Sequence, residues 1–441
     1  MASSAEPSST VPHPDLRISD DRSRLLEESG NAPGPLRSSS SARLSYYVFF
    51  SVGLASLLPW NLFISASEFY TYQFAGSPHQ DTFQNSFSVT YMVINLGFNI
   101  YAMLTVTTSD ANKRIMYGLM ANLLAYVTGL FVPLMTEHRG ALSFYIVITQ
   151  LAITAAASGI LTNSVFALTA HFPPANAEGV MSGQAVAGIM ATAAQLVTAY
   201  SVATGGLRST EAGADSLIHR TVAYFAFAAI TNIILTVAFI YIQRDPYYTE
   251  RSKLATAGAT AGATVLPDLR EFAATFRQIS GYANVIMLVF AVTLAVFPSV
   301  TALVTSTRGF RLLTEWHFFV FNVGDFVGRR FAPRIPINRM SSLTSLAVAR
   351  FLFIPVFFMC HVSFSVWFNW ITSDWCFLFL AFLLGATNGL LSTRSAMAAP
   401  SLADKPTIAG SIVAISISTG LAIGSLLSWP VRAAGCLCNP F

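Results

Sequence analysis

The sequence predicts an all-α polytopic membrane protein whose long helices divide six and five around a polar linker. Three observations carry that expectation: charged residues make up 10% of the chain, mean hydropathy is +0.56, and long apolar stretches recur from Leu44 to the end. A soluble domain carries roughly 25% charged residues, and an apolar run of about 17 to 25 residues matches the helix that crosses a 30 Å hydrocarbon layer. With 54% hydrophobic residues and 35 Phe, the chain has too few charges to cover a water-facing surface. That balance argues against a disordered, collagen-like or disulfide-scaffold protein and against an ordinary cytosolic enzyme. The net charge of +4 is scattered among apolar runs, so no nucleic-acid partner is expected.

Residues 1–43 form the first element, a polar tail with Pro7, Pro12, Pro14, Pro33 and Pro35 and almost no apolar periodicity. It reads as a disordered cytoplasmic segment, and it lacks the apolar run and small-residue cleavage site of a secretory signal. Eleven spans follow, at about 45–67, 84–108, 115–135, 143–169, 180–204, 220–243, 282–306, 316–331, 343–361, 375–397 and 407–430. A membrane barrel would alternate over segments of about ten residues, whereas VFFSVGLASLLPW is continuous. Residues 44–243 thus read as a six-helix bundle and 282–441 as a five-helix bundle. Between them, residues 244–281, with the run LATAGATAGATV, read as a cytoplasmic linker. Such a bipartite layout is typical of alternating-access carriers. No internal sequence repeat is visible to support it.

Eighteen Lys and Arg lie in the tail and every second connection, including Arg43, Lys113, Arg114, Arg251, Arg329, Arg330 and Lys405, and six in the opposite set. The positive-inside rule therefore places the N-terminus in the cytoplasm and, with an odd number of spans, the C-terminus outside or in a lumen. Cys360, Cys376, Cys436 and Cys438 form no metal pattern with the His residues and read as small packing groups.

Asp325 is the one acidic residue inside an expected span, four before Arg329 in FNVGDFVGRR. A charge at the bilayer centre costs roughly 2.5 to 3.5 kcal/mol on insertion scales. Such residues turn inward, pair, and line a path or site, and the i, i+4 spacing puts these two on one helical face. A structural ion pair is the competing reading. Arg350 is the other interior charge and reads as a second cation for Asp325. Asn322 shares the face of Asp325, while Asn95, Asn99, Asn163, Ser164, Gln184 and Asn388 mark other helix interiors. Each needs a hydrogen-bond partner, either a neighbouring helix or a ligand. Amides, a carboxylate and aromatic faces such as Trp60 and Phe297 suit a flat, polar, uncharged heterocycle bearing hydroxyls. Gly183, Gly188, Gly410, Gly420 and Gly424 mark close helix approaches. Pro59, Pro298 and Pro355 interrupt helices.

In series, several motifs resemble those of the equilibrative nucleoside transporter family (solute carrier family 29 type). They are LLPWNLFISA (Pro59, Trp60, Asn61), MSGQ (Ser182, Gly183, Gln184), FPSV (Phe297, Pro298), FNxxDxxGR (Phe321, Asn322, Asp325, Gly328, Arg329), ARFLFIP (Arg350, Pro355), TNG (Asn388, Gly389) and TGLAIGS. The resemblance covers nearly the whole chain after residue 44. It implies a major-facilitator-like fold of eleven helices that moves nucleosides, and sometimes nucleobases, down their gradient. It implies that Leu57 and Trp60 flank the nucleobase, that Asp325 and Arg329 bind nucleoside and gate, and that Phe297, Phe318 and Asn322 line the cavity. Gln184 joins that substrate-binding set, and Asn61, Gly183, Arg350 and Asn388 take structural or gating roles. Many members carry a Gln where this chain has Thr162, and Asn163 next to it is the candidate substitute.

A polyspecific organic cation or monoamine carrier of the same fold is the alternative substrate reading, but that branch tends to place an acid where this chain has Gln184. A non-transporting membrane receptor is the alternative of another class. No catalytic pair, metal set or cofactor motif is visible in the spans, so no enzyme is expected. The tail segment DRSRLLEE, with Asp21, Leu25 and Leu26, resembles an acidic dileucine sorting signal. A late endosomal or lysosomal membrane, reached through sorting adaptors, is therefore one expectation and the plasma membrane the other.

Overall fold

The computed structural model describes residues 39–80, 83–134, 140–205, 211–257, 269–337, 339–362 and 369–436. Among them no strand forms, and only two isolated bridges, Val304 with Val362 and Cys360 with Ile371, interrupt an all-helical chain. The sorting residues Asp21, Leu25 and Leu26 lie outside the described residues, as does the middle of the 244–281 linker.

The first half comprises α1 (Ser39–Ser65), the short α2 (Ser67–Gln73), α3 (Phe83–Leu104), α4 (Ala111–Gly129), α5 (Ala141–Thr169), α6 (Pro174–Gly205) and α7 (Glu211–Ile242). The short α8 (Pro246–Ala257) follows. The second half holds α9 (Leu269–Val296), α10 (Leu313–Phe331), α11 (Met340–Ala349), α12 (Phe353–Phe358), α13 (Asp374–Ala398) and α14 (Pro406–Cys436). Local chemistry sets several starts. Asp110 caps α4 by accepting from the Asn112 amide at 2.8 Å, and Pro174, Pro246 and Pro406 open α6, α8 and α14. A first-turn proline lacks only an N–H that has no helical partner anyway.

Nine segments among the described residues are long and apolar enough to cross a membrane, with α11 and α12 counted as one run from Met340 to Phe358. The other two expected spans are α4 and α10, helices of 19 residues packed in the same bundle. Their polar positions, Lys113, Arg114 and Asn122 on α4 and Glu315, Asp325, Arg329 and Arg330 on α10, explain why apolarity alone misses them. The outward surface is apolar, with Tyr47, Leu124, Ile234 and Leu426 all exposed, as a lipid-facing surface requires. One expectation is corrected: α1 runs unbroken through Pro59. Pro298 lies just past the end of α9, and Pro355 sits within α12 beyond a tight turn at Arg350–Leu352.

Contacts between elements reveal a repeat. Among the long helices of the first half, the first packs on the fifth (α1 on α6) and the second on the fourth (α3 on α5). The second half does the same, with α9 on α14 and α10 on α13. The seam between halves follows the same symmetry, since α6 meets α10 and α13 while α14 meets α3 and α5.

Small residues permit the closest approaches. Gly324 and Gly328 on α10 face Gly385 and Gly389 on α13, and a Cβ on any of the four would strike the opposing helix's backbone carbonyl. This is a reciprocal small-xxx-small contact, the arrangement by which helices approach closely when lipid supplies no hydrophobic drive. Gly179 and Gly183 on α6 do the same against α1, where Tyr46 and the Phe50 carbonyl stand. Replacing Gly389 by Val should force α10 and α13 apart and lose at least the roughly 1 to 3 kcal/mol typical of overpacking. The check is thermal unfolding of the purified protein, where the variant should melt well below the parent.

Candidate functional site

The end of the bundle at which α1 begins, called the base here, also holds the start of α6 and the end of α10. There Ser41 donates to Asp245 at 2.9 Å and Tyr248 to Asn112 at 2.6 Å, tying α8 beneath the first half. Up the inner face of α10 from the base come Arg329, Asp325, Asn322 and Phe318, at helical spacing on one side. The lower two are buried, at 4% exposure each, and the upper two are partly exposed.

Both oxygens of Asp325 hold donors. Arg329 donates its Nε and a terminal N–H to Oδ2, each at 2.8 Å, a two-pronged pair. Asn388 on α13 donates to Oδ1 at 2.7 Å, and its own carbonyl oxygen accepts from Thr293 of α9 at 2.8 Å. Arg350 then donates to the Thr293 hydroxyl at 2.6 Å, to the Leu384 carbonyl at 3.0 Å, and to Thr387. Arg350 therefore reaches Asp325 through two intermediates rather than as its direct partner. From the other side, Arg329 crosses the seam to donate to the Met181 carbonyl of α6 at 2.6 Å. One continuous polar chain thus runs from Arg350 through α9, α13 and α10 into the first half.

A mixed group of buried and partly exposed residues lies above this chain. Gln184 on α6 donates to Ser56 of α1 at 3.3 Å, and one turn up, Gly188 stands directly against the Asn322 carboxamide oxygen. Ser56 and Gln184 thus share a level, and Asn322 lies about one turn above them. Leu57 follows Ser56, and Trp60 lies one turn on with its ring 4.6 Å from Tyr91. In the second half, Phe297 stacks on Phe321 at 4.0 Å and meets Phe318 edge-on at 5.2 Å. The Asn322 amide group donates to the Phe318 carbonyl at 2.9 Å, and that of Asn61 to Leu57 at 3.0 Å, each within its own helix.

Asn163 lies elsewhere, fully buried in the opposite seam. It donates to Asn99 at 2.9 Å and accepts from Ser411 at 3.1 Å, while Asn99 donates to Ser418 at 2.9 Å. Ser418 in turn donates to Asn95 at 3.2 Å. With both ends of its amide engaged, Asn163 ties α3, α5 and α14 together, and the base-reading role expected of it has no free group here. Asp325 holds three donors, two N–H groups of Arg329 on Oδ2 and one of Asn388 on Oδ1. Gly183 is a close-approach residue and Asn388 a carboxylate holder.

Two residues escaped the sequence reading. His317, fully buried, lies 4.2 Å from the Phe318 ring and within 3.2 Å of the Thr301 hydroxyl. Glu178, just ahead of the expected span at 180–204, is 1% exposed and lies on α6, because Pro174 starts that helix earlier than hydropathy implies.

The matching halves and their two-fold seam are the architecture of the major facilitator superfamily. A proton:xylose symporter of that superfamily superposes with a TM-score of 0.58 at 11% identity, covering 89% of this chain and 88% of that one. The family model for nucleoside transporters matches residues 148–266 and 263–433, and the chain belongs to that family. Similar proteins include equilibrative nucleoside transporter 3 of Rattus norvegicus, 25% identical over 89% of this chain and 90% of the relative. Equilibrative nucleoside transporter 1 of Homo sapiens is 23% identical over 88% and 96%.

Two outcomes follow. Asp325→Asn leaves Arg329 buried without its counter-charge and should cost about 3 to 5 kcal/mol. Adding Arg329→Met should recover much of that loss in thermal unfolding, because the orphaned charge is then gone. At the base, His171 in the turn after α5 meets the Thr407 hydroxyl of α14 at 2.7 Å, and Arg251 donates to its carbonyl at 2.7 Å. Burial, and then the Arg251 charge, push the His171 imidazole below its ordinary 6.5. The folded chain therefore resists a proton that the unfolded chain accepts, so stability is lost as pH falls below about 6.5. Melting temperature should drop between pH 7.5 and 5.5, and His171→Gln should lessen that drop.

Proposed function

We propose that this chain is a facilitative carrier of nucleosides, working by alternating access between the halves 44–243 and 282–441 joined by the 244–281 linker. The observation that carries the reading is the buried Asp325 and Arg329 pair of the FNxxDxxGR motif, bridging the seam beneath partly exposed aromatics and amides. The nucleoside transporter match and the names of the relatives support the substrate class.

In this mechanism Trp60 and Leu57 from the first half, and Phe297 and Phe318 from the second, take the flat faces of the base. Asn322 and Gln184 supply amide donors and acceptors for its edge and for the ribose. Asp325, paired with Arg329 and oriented by Asn388, sets the electrostatics of the floor. It passes any displacement of α10 to α6 through Arg329. The cargo is uncharged and its gradient drives flux, so no titrating group is needed in the cycle.

The excess of Lys and Arg at the base makes that face cytoplasmic, with the N-terminus inside and the C-terminus outside or lumenal. The acidic dileucine arrangement of Asp21, Leu25 and Leu26 supports adaptor-mediated sorting to endosomal or lysosomal membranes.

Radiolabelled adenosine and uridine uptake by proteoliposomes tests the reading. Saturable uptake that runs to equilibrium without a pH gradient is expected. Trp60→Ala should raise KM, losing about 1 to 3 kcal/mol of base stacking, and Asp325→Ala should abolish uptake by inserted protein. Absence of saturable uptake of either nucleoside by the parent would reject the reading.

A further inference from the structure

The rim of the base carries a second charge pair, outside the transport motif. Glu178, just past the first turn of α6 and 1% exposed, accepts from Ser182 at 2.7 Å and pairs with an Arg330 terminal nitrogen at 3.5 Å. Arg330 belongs to the other half. Its guanidinium carbon also stands 5.9 Å from the ring centroid of Tyr46 on α1, and a Cβ at Gly179 would come within 3.1 Å of that ring. Three helices from two halves thus meet around one carboxylate.

The pair is lopsided in a telling way. The Glu178 side chain is 1% exposed and that of Arg330 is 47% exposed. A carboxylate withdrawn from water is tolerated only while it is paired and hydrogen-bonded. Ser182 lies on the same helix and moves with Glu178, whereas Arg330 leaves with the second half. Parting of the halves at the base therefore removes the cation and must admit water in its place. Successive arginines on α10 divide the work: Arg329 turns inward to Asp325 and the Met181 carbonyl, and Arg330 holds the rim.

We infer that Glu178 and Arg330 form a latch, a positioning pair that touches no substrate and sets how often the base of the carrier is open. The inference rests on the alternating-access reading, but its test needs no substrate. Met181, buried and with its sulfur 3.8 Å from Arg329, marks the inside of the seam. In a Met181→Cys background, maleimide labelling at that position, read by peptide mass spectrometry, reports opening of the base.

Arg330→Gln and Glu178→Gln are each expected to speed labelling at least fivefold, while Arg330→Lys, which keeps the charge, should stay within twofold of the parent. Because the carrier would then face outward for less of the time, KM for nucleoside offered at the outer face should rise in proportion to the lost population. Labelling of Arg330→Gln at the parental rate overturns the inference, as does equal acceleration by Arg330→Lys, which would show shape rather than charge at work. Should Glu178→Gln fail to fold, the half-exposed Arg330 variants still decide. Failure of nucleoside uptake by the parent would instead reject the transport reading and leave the labelling comparison intact.

Discussion

The structure depends on keeping one carboxylate paired and hydrogen-bonded where water has little access. Asp325 needs every donor around it, and each donor constrains a helix. Arg329 supplies two N–H groups only because it lies one turn further along the same helix face. Asn388 reaches the other oxygen only because α13 approaches α10 at backbone contact, which Gly324, Gly328, Gly385 and Gly389 allow. Asn388 is then oriented by Thr293, and Thr293 by Arg350, so α9 and the α11–α12 turn are drawn into the same requirement. A half-satisfied network of this kind would be worse than an apolar core. Membrane burial therefore turns one acid into the organising centre of the second half.

The two sides of the seam share a symmetry but not a chemistry. Where α6 meets α10 and α13, charged groups cross, through Arg329 to Met181 and Arg330 to Glu178. Where α14 meets α3 and α5, the crossing groups are neutral: Asn99, Asn163, Ser411, Ser418 and the His171–Thr407 contact. All of these lie toward the base, and the partly exposed aromatics lie above them. Polar contacts among the described residues therefore bridge both sides of the seam.

Much of this was legible in the sequence because membrane energetics are severe. Apolar run length located eleven segments, nine of which are long and apolar enough to cross a membrane among the described residues, and the cost of intramembrane charge singled out Asp325 and Arg329. The rest was hidden for identifiable reasons. The repeat left no sequence trace because helix pairing needs only small or apolar surfaces, which many residues provide. In the second half the second and fourth long helices join through four glycines, and in the first through Gly159 against the Asn95 backbone together with the Asn95 amide on the Ala155 carbonyl. Asn163 reads identically whether it faces ligand or Ser411, since an amide needs a partner in either case. Glu178 falls outside the expected span because hydropathy begins the helix at residue 180, while Pro174 starts it about one and a half turns sooner.

The difference between the two seams bears on how such a protein opens at all. Neutral amides and hydroxyls exchange a protein partner for water at small net cost, since an intramolecular hydrogen bond is worth only about 1 kcal/mol against its hydrated alternative. A buried charge has no such indifference, because loss of its partner is tolerable only if water floods the site at once. The α3–α5–α14 side can therefore part gradually. The α6–α10 side has only two stable arrangements, paired and dry or separated and wet. Bistability of that kind converts a small displacement into a discrete change of access, and it places control of the cycle on the side where α10 carries its consecutive arginines.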